Sequence, residues 1–176
     1  TLIENTITSL KNEIRTAVIE GDIQSTYDAE RISVTGARVV QINTGGACHL
    51  DANMISRALS QFDLDSVDLL IIENVGNLVC PAQFNLGEHY RVMLLSISEG
   101  DDKPLKYPLM FNVSSVLLIN KVDLLPYVDC SIEKIRSESL RINSELKIFE
   151  VSCKTGEGLD NWYNWLRAKM EERVRG

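Results

Sequence analysis

Apolar residues recur along the chain in two alternating rhythms, one helical and one of short unbroken runs. Ile3, Ile7, Leu10 and Ile14 are spaced as one face of a helix. Residues 16–19 then read as a short strand closing at Glu20-Gly21-Asp22, and a weaker helix is predicted over 28–34, ahead of Gly36. A strand over 38–42 is broken by Thr44-Gly45-Gly46, and Asp51 has the chemistry to cap a helix whose Ile55, Ala58, Leu59 and Phe62 share a face. Further strands are predicted over 67–72, 91–98, 115–119 and 147–151, with a long loop from Glu73 to about His89. Helices are predicted over 131–143 and 159–173, the latter with a buried stripe of Leu159, Trp162, Leu166 and Met170. Pro108 weakens a helical turn over 105–112.

Continuously apolar strands alternating with amphipathic helices indicate a mostly parallel sheet covered by helices on both faces. The first helix begins with nothing ahead of it to launch it. In a P-loop NTPase-type α/β fold that place belongs to a strand and a phosphate-binding loop, so both are expected upstream of Thr1. No linker, repeat or charge block divides residues 1–176, which read as a single domain.

Composition narrows the function classes. The chain has 176 residues, 44% hydrophobic and 24% charged, with 18 Lys+Arg against 25 Asp+Glu, a formal net charge of −7. The apolar content excludes a disordered chain, and the acidity argues against a nucleic-acid or anionic-membrane surface. The longest apolar runs, Leu69-Leu70-Ile71-Ile72 and Val116-Leu117-Leu118-Ile119, are strand-sized and far short of a bilayer span. Cysteines at 48, 80, 130 and 153 show no regular disulfide framework, consistent with a reduced, cytoplasmic setting.

In an open parallel sheet, ligands bind at the carboxyl ends of the strands. The segments that follow the predicted strands are rich in carboxylates, and Asn120-Lys121-Val122-Asp123 is the most specific of them. A rigidly held carboxylate at Asp123 can accept paired hydrogen bonds from the N1–H and 2-amino group of guanine. Adenine lacks both donors and would leave that carboxylate unpaired. Asn120 can tie the loop to its neighbours, and the stem of Lys121 can lie across the base. Ser152-Cys153-Lys154 follows the next strand and could offer backbone N–H groups to the guanine O6. Glu73-Asn74-Val75-Gly76 ends a strand with an acid suited to Mg²⁺, while Gly76 lets a backbone N–H approach a γ-phosphate. Asp22 is a second candidate for Mg²⁺ or for the attacking water.

Cys48-His49 with Cys80 forms a second constellation. Two thiolates and an imidazole suit Zn²⁺ or Ni²⁺. Three ligands leave a tetrahedral ion one short, so water or a two-fold related chain would complete it. Cys80 in an apolar turn and Cys48 near a helix start are the alternatives without metal. Trp162, Trp165, His89 and Cys130 read as structural. Gly76 and Cys80 are four residues apart, at most roughly 14 Å of extended chain. A loop drawn to a γ-phosphate would shift Cys80, so metal affinity is expected to depend on nucleotide state.

The runs Val18-Ile19-Glu20-Gly21-Asp22, Gln41 to Asp51, Glu73 to Pro81 and Glu99-Gly100-Asp101-Asp102-Lys103-Pro104 resemble the hydrogenase nickel-incorporation GTPase (HypB) family, a relative of the urease-maturation GTPases. The resemblance extends from Thr1 to about Leu166. It implies a P-loop GTPase that binds GTP and GDP and hydrolyses GTP with Mg²⁺. It also implies a homodimer formed in a nucleotide-dependent way, a nickel metallochaperone partner, and delivery of nickel to a hydrogenase large subunit. A Zn²⁺/Ni²⁺ site at the dimer interface is carried onto Cys48, His49 and Cys80, guanine recognition onto Asn120, Lys121 and Asp123, and Mg²⁺ and switch roles onto Asp22 and Glu73. The phosphate-binding motif itself does not occur in the sequence, nor does an N-terminal cysteine-rich or histidine-rich nickel segment. The rival readings are a non-catalytic metal carrier or interaction module and a urease-type nickel-maturation GTPase.

Overall fold

The computed structural model describes residues 1–22 and 27–175, in two compact units, Thr1–Glu88 and His89–Gly176. In the first, β1 (Thr16–Asp22) is the central strand of a parallel sheet in the order β2-β1-β3, with β2 (Arg38–Asn43) and β3 (Leu69–Glu73) beside it. Helix α1 (Leu2–Leu10) precedes β1, and α2 (Tyr27–Ser33) and α3 (Ala52–Leu59) connect the strands. The alternation of β1 assigns its faces. Ala17 and Ile19 pack with Leu50, Ile55, Ala58 and Phe62, whereas Val18 packs with Ile7 of α1 and Ile32 of α2. Helices therefore cover both faces of this sheet, as a buried parallel strand requires.

Several boundaries depart from the hydrophobic pattern for local reasons. Helix α1 stops at Leu10, where the N–H groups of Glu13 and Ile14 turn back onto its carbonyl, so Ile14 is buried beyond the helix. Strand β1 runs on through Glu20-Gly21-Asp22, because pairing with β2 continues to Asp22 against Asn43. Strand β3 starts at Leu69, two residues later than its apolar run suggests. Its entry is fixed by Arg15, whose backbone N and Nε donate to Asp68 Oδ2 at 2.8 and 2.9 Å, while the Arg15 carbonyl receives the N–H of Asp68 and Leu69. Asp51 caps α3 as its sequence position suggests, accepting from Met54 N at 2.8 Å. The loop predicted from Glu73 to His89 contains a 3₁₀ turn, Cys80–Gln83.

The second unit holds a parallel sheet in the order β4-β5-β6, from β4 (Val92–Ser96), β5 (Val116–Asn120) and β6 (Lys147–Val151). Every residue of β5 is buried. A 3₁₀ turn (Ile97–Glu99) ends β4 two residues short of its predicted end, and α4 (Lys103–Lys106) and α5 (Pro108–Val113) follow. Pro108 opens α5 instead of interrupting a helix, since the first turn has no use for its missing N–H. Helix α6 (Ile132–Ile142) is capped by Ser131, whose Oγ accepts from Lys134 N. On α7 (Leu159–Arg175), Leu159, Trp162 and Leu166 are buried and Met170 is half-buried. Trp162 and Trp165 stack at 5.4 Å with Phe149 edge-on, so both indoles are packing elements. Among the described residues no helix is long and apolar enough to cross a membrane.

Candidate functional site

In the second unit the parallel register places Ser96, Asn120 and Val151 side by side, so the loops that follow leave one edge of the sheet. Asn120, 9% exposed, accepts on Oδ1 from Lys121 N at 2.8 Å and from Cys153 N at 3.1 Å, tying two loops together. Lys121 takes a left-handed conformation, φ 66°, the only non-glycine residue to do so among those described. Such a backbone costs a lysine about 1–2 kcal/mol, which the Asn120 bond to its N–H helps to hold. Asp123 is half-buried, and its Oδ1 accepts from the hydroxyl of Ser152 at 2.6 Å. Ser152 is fully buried, and its Oγ also accepts from Thr155 N. The carboxylate thus stands at a fixed place, aimed by a hydroxyl that cannot itself move. The N–H groups of Ser152 and Cys153 are donated inside the loop, to Glu157 O and Asn120 Oδ1. In this structure those two groups shape the loop. Burial pushes the Cys153 thiol up, and Lys154 is exposed.

In the first unit, the acids expected from sequence lie at strand ends. Asp22 is the last residue of β1, half-buried, and its carbonyl receives Thr44 N at 3.0 Å. Glu73, exposed, ends β3, and Gly76 is exposed with no atom within 4 Å of where a side chain would start. The sequence pattern predicts Glu20 to follow its strand as a loop acid. It is instead a buried strand residue, 3% exposed and in register with Glu73. Strand alternation puts Glu20 and Asp22 on one face, and the shared packing of Val18 and Ile71 puts Glu73 there too. Three carboxylates therefore share the α1–α2 face at the carboxyl end of this sheet. Their oxygens do not all converge within 4.8 Å of one another, so the three acids mark a polar strand end, not a formed cation cage.

Cys48, His49 and Cys80 are brought together, their ligand atoms all within 4.8 Å of one another. This is the only such group of three or more among the described residues. Cys48 Sγ lies 2.6 Å from Cys80 Sγ and 3.7 Å from His49 Nδ1, and neither thiol is in a disulfide. Hydrogen bonding to Cys48, with burial and the neighbouring sulfur's charge, pushes the Cys80 thiol up. Two sulfurs and an imidazole gathered this closely are the donor set of a soft-metal site.

Three further residues build this site and were invisible to spacing. Asn77 donates from Nδ2 to Cys48 O at 2.5 Å and accepts on Oδ1 from Val79 N and Cys80 N, fixing both cysteine segments with one side chain. Asn74 Oδ1 accepts from Leu50 N and Val75 N, each at 2.9 Å. Phe84 stacks on the His49 ring at 3.7 Å and 12°. The only sequence signal was two asparagines three apart between Glu73 and Cys80.

Residues 1–150 match the family model described as CobW/HypB/UreG, nucleotide-binding domain. The chain belongs to this family. It is 51% identical over 169 residues to the hydrogenase maturation factor HypB of Escherichia coli (strain K12), covering 96% of this chain and 58% of that protein. The chain thus spans a little over half the length of that relative. The crystal structure of HypB from Helicobacter pylori in complex with nickel superposes with a TM-score of 0.92 at 39% identity, over 98% of this chain and 81% of that one. The HypB structure from Archaeoglobus fulgidus gives 0.89 at 43% identity, over 96% and 82%. The α/β architecture with parallel strands is thus that of the HypB P-loop NTPases, within a family of nucleotide-binding domains whose HypB members are hydrogenase maturation factors.

Proposed function

We propose that this chain is the GTPase domain of a nickel-handling maturation factor, one that binds and hydrolyses GTP in support of [NiFe]-hydrogenase assembly in the cytoplasm. The observation that carries the reading is Asp123, held by the buried Ser152 hydroxyl at 2.6 Å in the Asn-Lys-Val-Asp loop. A carboxylate fixed in this way selects the purine that offers two adjacent donors, which is guanine. Lys121 is exposed in the same loop, and its stem would lie across the base. Asp22 and Glu73 are the acids that would hold Mg²⁺, with buried Glu20 behind them. When bound, that ion neutralises phosphate charge. Gly76 offers its N–H to the γ-phosphate, and water attacks in line without a covalent intermediate.

Cys48, His49 and Cys80 would take Ni²⁺ or Zn²⁺, with a second copy of the chain completing the coordination in a nucleotide-dependent homodimer. The relatives support nickel as the cargo, since one HypB structure holds it. A nickel metallochaperone would then be the donor and a hydrogenase large subunit the recipient. The test is isothermal titration of the full-length protein with GTP and ATP, before and after Asp123→Asn. The expected result is guanine preference in the parent and, in the variant, a shift to xanthine nucleotides, whose 2-oxo group meets an amide donor. Equal uptake of the two triphosphates by the parent would overturn the reading.

A further inference from the structure

The run Glu99-Gly100-Asp101-Asp102-Lys103-Pro104 has no task in the function just proposed, yet it is built with care. It follows β4, whose last residue, Ser96, lies in register with Asn120, so it leaves the sheet beside the Asn120–Asp123 loop. Ser96 and Glu99 close a reciprocal cap around the turn Ile97–Glu99, and Gly100 reverses the chain at φ 90°. Asp101 then accepts on both carboxylate oxygens. Oδ2 takes Ser131 N at 3.2 Å, and Oδ1 takes Lys134 Nζ at 2.7 Å. Lys134 and the Ser131 N–H hold this carboxyl below the usual carboxylate range, so it stays charged at neutral pH.

Ser131 is the cap of α6 and closes the segment 121–130 that carries Asp123. Asn120 Oδ1 anchors that segment at its start, and Ser152 anchors it at Asp123. Asp101 is its anchor at the far end. Between the anchors lies a 3₁₀ stretch, Val122–Tyr127, entered through the left-handed Lys121 and containing Pro126. Short 3₁₀ runs have poor internal hydrogen bonding and depend on their ends for position.

We propose that Asp101, acting through Ser131 and Lys134, is a positioning residue for base selection: it fixes the far end of the 121–130 segment so that Asp123 meets a guanine at one place. The inference rests on the reading of this loop as the guanine site. Asp101 itself touches no nucleotide. It works by denying the loop the alternative placements that would lose one of the two hydrogen bonds to the base.

The experiment compares the full-length protein with Asp101→Ala, Lys134→Ala and Lys134→Arg, titrating each with GDP, IDP and ADP and recording its melting temperature. IDP lacks the 2-amino group, so the GDP-to-IDP ratio reads Asp123 alone. The expected result is a five- to twentyfold loss of GDP affinity in both alanine variants, the scale of a lost charge-assisted anchor. The GDP-to-IDP ratio contracts, ADP binding stays within about twofold, and Lys134→Arg recovers most of the loss. A general loss of fold would weaken all three nucleotides together, and that pattern would overturn the inference. So would folded variants that keep the parental GDP-to-IDP ratio. A parent without preference for GDP over ADP would sink the guanine reading itself, and this inference with it.

Discussion

Gly21 sits in the middle of the Glu20-Gly21-Asp22 run on the face of β1 that carries Ala17 and Ile19. A Cβ added there would lie 2.7–2.8 Å from Cδ1, Cγ and Cδ2 of Leu50. Ordinary contact begins near 3.4 Å, so Leu50 must retreat by about 0.6–0.7 Å. It has nowhere to go, being 0% exposed among Ile55, Ala58 and Phe62. The Gly21 backbone is not left-handed, so the cost of Gly21→Ala is steric alone, about 1–3 kcal/mol of overpacking. Leu50 follows His49 directly, and its N–H is bonded to Asn74 Oδ1. Pushing Leu50 therefore disturbs the segment that carries Cys48 and His49, and Zn²⁺ affinity should fall about tenfold, or ~1.4 kcal/mol. Urea unfolding at constant slope measures the first effect, and competitive titration with Zn²⁺ the second. Gly76→Ala, which meets no atom within 4 Å, is the control and should stay within about 0.5 kcal/mol of the parent. A Gly21→Ala variant as stable as that control would refute the packing argument. A destabilised variant with undiminished Zn²⁺ affinity would refute the coupling.

Two other perturbations test the frame. Gly158→Ala should cost about 3 kcal/mol or more, because φ is +72° and the new Cβ would stand 2.0 Å from the Glu150 carbonyl oxygen. Gly156→Ala, left-handed but in open space, should cost only about 1–2 kcal/mol, and denaturant midpoints of the pair read the difference. Asp68 is drawn down from 3.8 to about 2, first by its hydrogen bonds from the Arg15 side chain and backbone. A depressed carboxylate stabilises the fold above its unfolded value and loses that contribution as pH falls through its folded one. Because the pair is solvent-screened, Asp68→Asn should cost only about 0.5–1 kcal/mol at neutral pH. That gap should close as the pH is lowered from about 4 to 2, read by urea unfolding at each pH. A gap that widened on acidification would reverse the assigned sign.

The strands were legible because burial on both faces leaves an unbroken apolar run, as in Val116-Leu117-Leu118-Ile119, every residue of which is buried. The cap at Asp51 was legible because capping is local chemistry between a side chain and an N–H three residues on. What escaped was set by partners distant in sequence. Glu20 reads as a loop acid until pairing with Gln41 and Glu73 keeps it in the strand. The residue types Cys48, His49 and Cys80 could be singled out, but 32 residues separate the sulfurs and no spacing rule brings them to 2.6 Å. Asn77 does so, and a lone asparagine in a loop carries no sign that it bridges two segments. The inward bonding of the Ser152 and Cys153 N–H groups escaped for a related reason. A buried tight loop must satisfy its own N–H groups, and Glu157 and Asn120 claim them.

The eight residues from Glu73 to Cys80 connect an acidic strand end to the thiol pair through side chains. Asn74 grips Leu50 N, two residues after Cys48, and Asn77 grips the Cys48 carbonyl with one end and the Cys80 N–H with the other. Gly76 lies between the two asparagines, exposed and unencumbered. A displacement of Gly76 cannot be absorbed by a slack loop, because both of its flanks are bonded to the segment that carries Cys48 and His49. It must either carry that segment along or break the Asn77 bonds, and each outcome alters the distance between the sulfurs. We therefore expect metal affinity at Cys48, His49 and Cys80 to change with what Gly76 binds, which Zn²⁺ titration in the presence of GDP and of GTP would read. The coupling needs no movement of β1 or α3, whose packing around Leu50 and Ile55 holds the other side of the site still.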